Sequence, residues 1–333
     1  MHGCVDEYGS GEILGWVTDP DPNETLPVVI CRAHDGRSME FRAIQYREDV
    51  CQVVGRRGTF GFAIPVEQIR QLGPKLRLYD SAGTMLGNGE VDLADLPDAS
   101  SVQQDNEKVH IFLHVQKSAG TSVRMALEPL YRKCEFALIY PNFPGISLAD
   151  FCRIPRYQRQ EIKFLAGHTY FGVHEYLEQP SRYVTVLRNP IDRLISNFWH
   201  HKNNFTDNFT IGGRKTPIEQ VVNEGLSEEF DNYATRVICG LTAAAVPIGN
   251  ITSEEVRAAI HNIDTMFDCL AILEKFPADF DRLCKSLGKA PPVLPNLNVR
   301  SWSHDEPLAM IDWRKVVVNN RFDQELYDHF YTN

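Results

Sequence analysis

Through the first hundred positions apolar and polar residues change places over short distances. Val28–Ala33 and Lys75–Tyr79 mix β-branched or apolar residues with polar ones, the pattern of strands with one buried face. Turn signals separate such runs: Asp19-Pro20-Asp21-Pro22, Asp35-Gly36, Gly58 with Gly61, Ala82-Gly83 and Gly87-Asn88-Gly89. Val66–Gln71 reads as one helical turn. Many short strands with frequent turns predict a small all-β, sandwich-like domain over residues 1–98. No catalytic cluster stands out in it. Residues 92–107 are acidic, polar and poor in large apolar groups, and 99–107 read as a linker.

After the linker the texture changes. Val109–Val115 is an apolar strand and Ser122–Tyr131 a helix. Phe164–Ala166 and Tyr183–Leu187 are strands, the latter followed by a helix from about Ile191 to His201. Helices are predicted at Ile218–Glu224, Phe230–Cys239, Ser253–Asn262, Pro277–Leu287 and Phe322–Tyr331, with a strand at Phe267–Leu273. Strands alternating with helices predict an α/β domain over 108–333, its parallel sheet covered on both faces.

Composition supports that division. A chain of 333 residues suits about two domains, and 43 % hydrophobic with 23 % charged residues argues against disorder, collagen or coiled coil. The net charge of −10 gives no general attraction to nucleic acid or anionic lipid. Most of it lies early: residues 1–100 hold 16 acidic and 9 basic residues, the rest 28 and 25. The near-neutral second part can therefore hold a local basic pocket. Eight cysteines form no CxxC pair and read as free thiols in a reducing compartment. The N-terminus lacks an apolar leader, and no run approaches the roughly 18–20 apolar residues of a membrane span. A soluble, cytoplasmic protein is expected.

Two segments carry the chemistry. In the first, the strand from Val109 runs into Gln116-Lys117-Ser118-Ala119-Gly120-Thr121-Ser122 and then a helix. Gly120 allows a tight turn and close backbone approach. Helix N-terminal N–H groups favour an anion, Thr121 and Ser122 add hydroxyls, and Lys117 adds a charge. A Walker A loop would carry its lysine just before the helix, whereas Lys117 precedes the glycine. No acidic residue is evidently placed for magnesium, so a nucleotide phosphate bound without metal is expected. In the second segment, YVTVLRNPIDRLISNFWHH, Arg188 ends a parallel strand and Pro190 opens a helix that carries Arg193 and Ser196. Arg193 either shares the anion face or pairs with Asp192 or a glutamate elsewhere.

HVQKSAGTS followed by LRNPIDRLIS, with Arg188 71 residues after Lys117, resembles the PAPS-dependent sulfotransferases. The likeness is greatest to the branch with the heparan sulfate 2-O- and 6-O-sulfotransferases and their bacterial relatives. It covers roughly 109–331, including FDQELYDHFY, and implies a P-loop-like fold. It implies that Lys117, Ser118, Gly120, Thr121 and Ser122 hold the 5′-phosphosulfate of PAPS. Arg188 and Ser196 would hold the 3′-phosphate, and Arg300, in a late loop, would also touch the nucleotide. Asn189 stands where aspartate is frequent, and Ser118-Ala119 where Thr-Gly is common.

Sulfuryl transfer needs a base for the acceptor proton, and an imidazole titrates in the right range. His168, after Phe164-Leu165-Ala166-Gly167, is the first choice, and the resemblance implies the same role. His174 and Glu175 are the alternatives, while His110, His114, His200 and His201 read as structural. Lys202, Arg214, Lys215 and Arg236 either line an acceptor cleft or are solvated surface.

The expectation is a metal-independent transferase that moves sulfate from PAPS to a carbohydrate-type hydroxyl, with adenosine 3′,5′-bisphosphate (PAP) as product. The competing readings are a nucleotide-dependent kinase and a non-catalytic glycan- or partner-binding protein that keeps the nucleotide fold. The β-rich part would dock a glycan, mediate homo-oligomerisation or only support the fold.

Overall fold

The structure, a computed structural model, describes residues 2–9, 11–94, 96, 108–140, 144–204, 208–294 and 307–332. The expected linker 99–107 and Arg300 lie outside these residues.

The first part builds strands β1 (Gly3–Gly9), β2 (Glu12–Val17), β3 (Val28–Ala33), β4 (Ser38–Arg42), β5 (Gln45–Tyr46), β6 (Thr59–Pro65), β7 (Lys75–Tyr79) and β8 (Met85–Asp92). Helix α1 (Glu48–Val54) precedes β6, and the short α2 (Val66–Ile69) follows it. The strands form one eight-stranded sheet in the order β4-β3-β7-β8-β1-β2-β6-β5. Every pairing is antiparallel except β1 with β8, which meet in parallel at Cys4 and Gly87. Alternation has the expected consequence: Val5, Ile13, Val29, Cys31, Phe41, Phe62, Ile64, Leu76 and Leu78 meet in one buried core.

The rest contains β9 (Val109–Leu113), α3 (Gly120–Leu127), β10 (Phe136–Ile139), α4 (Leu148–Arg153), α5 (Arg156–Arg159), β11 (Phe164–Gly167), β12 (Ser181–Leu187) and α6 (Pro190–Asn204). A hairpin, β13 (Asn208–Ile211) and β14 (Arg214–Pro217), comes next. Then follow α7 (Ile218–Glu224), α8 (Tyr233–Cys239), α9 (Ser253–Met266), β15 (Phe267–Ile272), α10 (Ala278–Ser286), α11 (Trp313–Asn319) and α12 (Arg321–Thr332). Five strands make a second sheet in the order β10-β11-β9-β12-β15, and its β10–β11 and β12–β15 pairs are parallel. The chain is thus mixed α/β with a parallel sheet.

The described chain divides into two compact units. One holds residues 1–110, 131–167 and 175–181, the other 111–130, 168–174 and 182–333. Within the first unit, specific polar contacts tie residues 131–161 to the N-terminal strands. The Gln158 amide accepts from the Arg42 N–H and donates to the Arg42 carbonyl, both at 2.9 Å, as a neighbouring strand would. Glu12 accepts the N–H of Cys134 at 2.6 Å, and Arg153 Nη2 donates to both carboxylate oxygens of Glu24 at 2.8 Å.

Strand β9 is buried throughout, and in the second unit the Thr185 hydroxyl of β12 donates to the Leu113 carbonyl at 2.7 Å. The starts of α8 and α12 lock together. Asp323 accepts the N–H groups of Ala234 and Thr235 and the Thr235 hydroxyl, at 2.8–3.0 Å. The Asn232 side-chain oxygen accepts the N–H of Phe322 at 3.0 Å. Asp323 thus caps α8, and burial raises its carboxyl above the usual range.

Among the described residues, no helix is long and apolar enough to cross a membrane. All eight cysteines are free thiols.

Candidate active site

Both strand–turn–helix units form where the sequence places them. The first turn joins β9 to α3 in an unexpected way. Its left-handed residues are Lys117 (φ 63°) and Ala119 (φ 60°), whereas Gly120 begins the helix. Gly120 is needed for space: a Cβ there would stand 1.9 Å from Cδ2 and 2.1 Å from Nε2 of His114. Left-handed residues in such a turn direct successive N–H groups to one side, a backbone device for anions. Ala119 is the N-cap and offers no side-chain bond, so the first-turn donors of α3 are not capped by a side chain.

The left-handed conformation of Ala119 is one that glycine adopts more readily. For an L-residue this conformation costs about 1–2 kcal/mol, and glycine escapes that cost. Ala119→Gly is expected to raise stability by up to about 1 kcal/mol after glycine's own entropy is subtracted, read as a higher urea midpoint.

The second turn joins β12 to α6, which begins at Pro190 as its fixed φ favours. The Asn189 side chain accepts the N–H of Ile191 at 3.0 Å. Arg188 is half-buried and donates from Nη1 to the Lys117 carbonyl at 3.2 Å, joining the two loops. Burial lowers its affinity for its proton, partly offset by Asp192 and Glu274.

Between the loops lies a small pocket lined by Val115, Ser118, Arg188, Arg193, Asp323 and Tyr327 among others. Ser118 is 1 % exposed, and its hydroxyl has no hydrogen-bond partner among the described residues. Arg193 is also 1 % exposed; Nη2 donates to the Glu229 carbonyl at 2.9 Å, while Nε and Nη1 have no such partner. Its guanidinium lies over the Tyr233 ring at 5.3 Å. A buried hydroxyl and a buried guanidinium with free donors, beside Arg188, suit an anionic group. Asp323 lines the same pocket with its oxygens engaged by α8. Asp323 and Tyr327 were not singled out in the sequence, though both stand in FDQELYDHFY.

The remaining residues singled out in the sequence are not among those that line this pocket. Thr121 is exposed and Ser122 half-buried on the first turn of α3. Ser196 is half-buried on α6, outside the set that lines the pocket; from α6 Pro190 and Arg193 reach it, and Arg193 brings the charge. His168 follows β11 and is half-buried, its ring centroid 4.3 Å from that of His114. Burial pulls its pKa down to about 4; Lys117 and His200 push the same way and Glu229 opposes them. His168 is therefore neutral near pH 7. His174 is engaged through Nδ1 with the Tyr183 hydroxyl at 2.7 Å, and Glu175 is exposed. His201 contacts Glu229 at 2.7 Å, in keeping with a structural role.

Arg236 is neither solvated nor in a cleft. It is fully buried, paired with Asp231 and bonded to the carbonyls of Val246 and Pro247. Lys202 pairs with Glu219 at 2.5 Å, and Arg214 and Lys215 are exposed on the hairpin.

The two loops, after β9 and β12, thus place Ser118, Arg188 and Arg193 on one pocket suited to an anion. Residues 101–241, which hold both loops and His168, match the sulfotransferase family. The part of the chain that carries both motifs is thus similar to the sulfotransferase family. No curated protein matches the chain. A crystal structure of mouse sulfotransferase SULT7A1 complexed with PAP is similar at 12 % identity, over 65 % of this chain and 66 % of that one, with a TM-score of 0.31.

Proposed function

We propose that this chain transfers a sulfuryl group from PAPS to a hydroxyl of a carbohydrate-type acceptor by metal-independent in-line displacement. The observation that carries the reading is the pocket where Ser118, Arg188 and Arg193 converge, in a segment that matches the sulfotransferase family.

Bound there, PAPS supplies an activated sulfuryl group and a phosphate leaving group. Lys117 neutralises the charge that builds on that phosphate. The first-turn N–H groups of α3, with Ser118, Thr121 and Ser122, orient the 5′ end; Gly120 gives the backbone room to approach. Arg188 and Ser196 hold the 3′-phosphate, joined by Arg193, and Arg300 adds a contact from the late loop. His168, neutral and close to Lys117, accepts the proton of the acceptor hydroxyl.

Residues 1–98 serve as a β-rich accessory domain joined through 99–107 to the transferase domain 108–333. That accessory domain docks a glycan, mediates homo-oligomerisation or only supports the fold. Eight free thiols support a reducing, cytoplasmic setting.

The test is incubation with sulfur-labelled PAPS and a panel of glycans. Label on a glycan hydroxyl, with PAP released, is the expected result. Phosphoryl transfer from magnesium-ATP without any sulfur transfer would replace the reading with a kinase.

A further inference from the structure

We propose that His114 is a positioning residue that fixes the base His168 against the donor loop. The proposal rests on the reading of His168 as the base. His114 directly follows β9, is 5 % exposed, and stacks on Phe112 with centroids 5.7 Å apart and planes 17° apart. Its ring reaches both sides of the site. On one side it lies so close to Gly120 that no Cβ fits between them. On the other it meets the His168 ring at 4.3 Å, tilted by 59°. One imidazole thus spans the gap between the first residue of α3 and the base.

Close packing makes such a spacer stiff, because buried side chains have no void to move into. Phe112 backs the ring, so a shift of His114 must displace Gly120, His168 or both. A small displacement of a base from its acceptor is costly to rate and cheap to donor binding.

The charges around the pair are Lys117 and Arg124 beside His114, and Lys117, His200 and Glu229 beside His168. Burial holds both rings neutral, His114 well below the ordinary histidine range. His114 therefore adds no positive charge when His168 takes its proton. Its removal opens the buried side of His168 to water and weakens the desolvation that lowers the base.

The experiment compares His114→Ala, His114→Gln and His168→Ala, reading kcat, PAP affinity, thermal stability and the pH dependence of kcat. His114→Ala is expected to lower kcat about 10- to 100-fold, with PAP affinity within about threefold of wild type. Its acid limb moves up from near pH 4 toward the ordinary 6.5. His114→Gln, which keeps a side chain between Gly120 and His168, recovers part of kcat and returns the limb toward pH 4. Wild-type kcat and an unmoved limb in His114→Ala, beside an inactive His168→Ala, would overturn the proposal and leave the base intact. Loss of PAP binding and thermal stability in step with kcat, in both His114 variants, would also overturn it, since that is a purely structural role. Full activity of His168→Ala would remove the base assignment itself.

Discussion

Replacing His168 by alanine is expected to lower kcat by about 10²- to 10⁴-fold, the usual contribution of a positioned general base. PAP binding is expected to survive, because the pocket lined by Ser118, Arg188 and Arg193 does not include His168. The pH dependence of the wild-type enzyme follows from the same group. Burial lowers the pKa of His168 to about 4, so it is unprotonated and competent above that value. The rate should fall as pH drops through about 4, where the ring gains a proton that it cannot also accept from substrate. An acid limb near pH 6.5 would mean that an ordinary, solvated histidine is in control.

The second large effect belongs to Lys117. Lys117→Ala is expected to reduce kcat by about 10²- to 10³-fold, the cost of removing one stabilising group from a developing anion. The lysine acts through its ammonium, whereas the loop is held through its backbone. Arg188 bonds the Lys117 carbonyl, which alanine retains. PAP affinity should therefore fall less than kcat. Parallel loss of both, with a lower melting temperature, would show that Lys117 mainly supports the loop.

The sequence pattern located the site's two supporting units because each is a buried strand followed by a helix with a clear start. Pro190 marks the beginning of α6, and the apolar run ahead of Lys117 gives β9. The mechanics inside the first turn were not readable. Gly120 looked like the residue that bends the chain, yet Lys117 and Ala119 adopt the left-handed conformation. Neither residue type signals it. The true constraint on Gly120 is the ring of His114, six residues earlier in sequence and visible only after folding.

Other misses share a physical cause. Strand β10, Phe136–Ile139, is apolar throughout and so has no alternation to read. The β13–β14 hairpin turns on Gly212-Gly213, a readable signal, but its second arm, Arg214–Pro217, does not alternate apolar and polar residues. Arg236 was read as surface or cleft because charged residues seldom lie buried without a partner. Its partner, Asp231, lies five residues away, outside the usual helical pair spacing. Asp323 shows its meaning only through the N–H groups of Ala234 and Thr235, almost ninety residues earlier in the chain.

The central claim is that the two loops bind a nucleotide with phosphates at both its 3′ and 5′ positions. Calorimetric titration of the protein with PAP, against magnesium-ATP and against the Arg188→Ala variant, tests it most directly. PAP is expected to bind without metal, Arg188→Ala to lose most of that affinity, and magnesium-ATP to bind far more weakly. Absence of PAP binding, or tighter binding of magnesium-ATP, would contradict it.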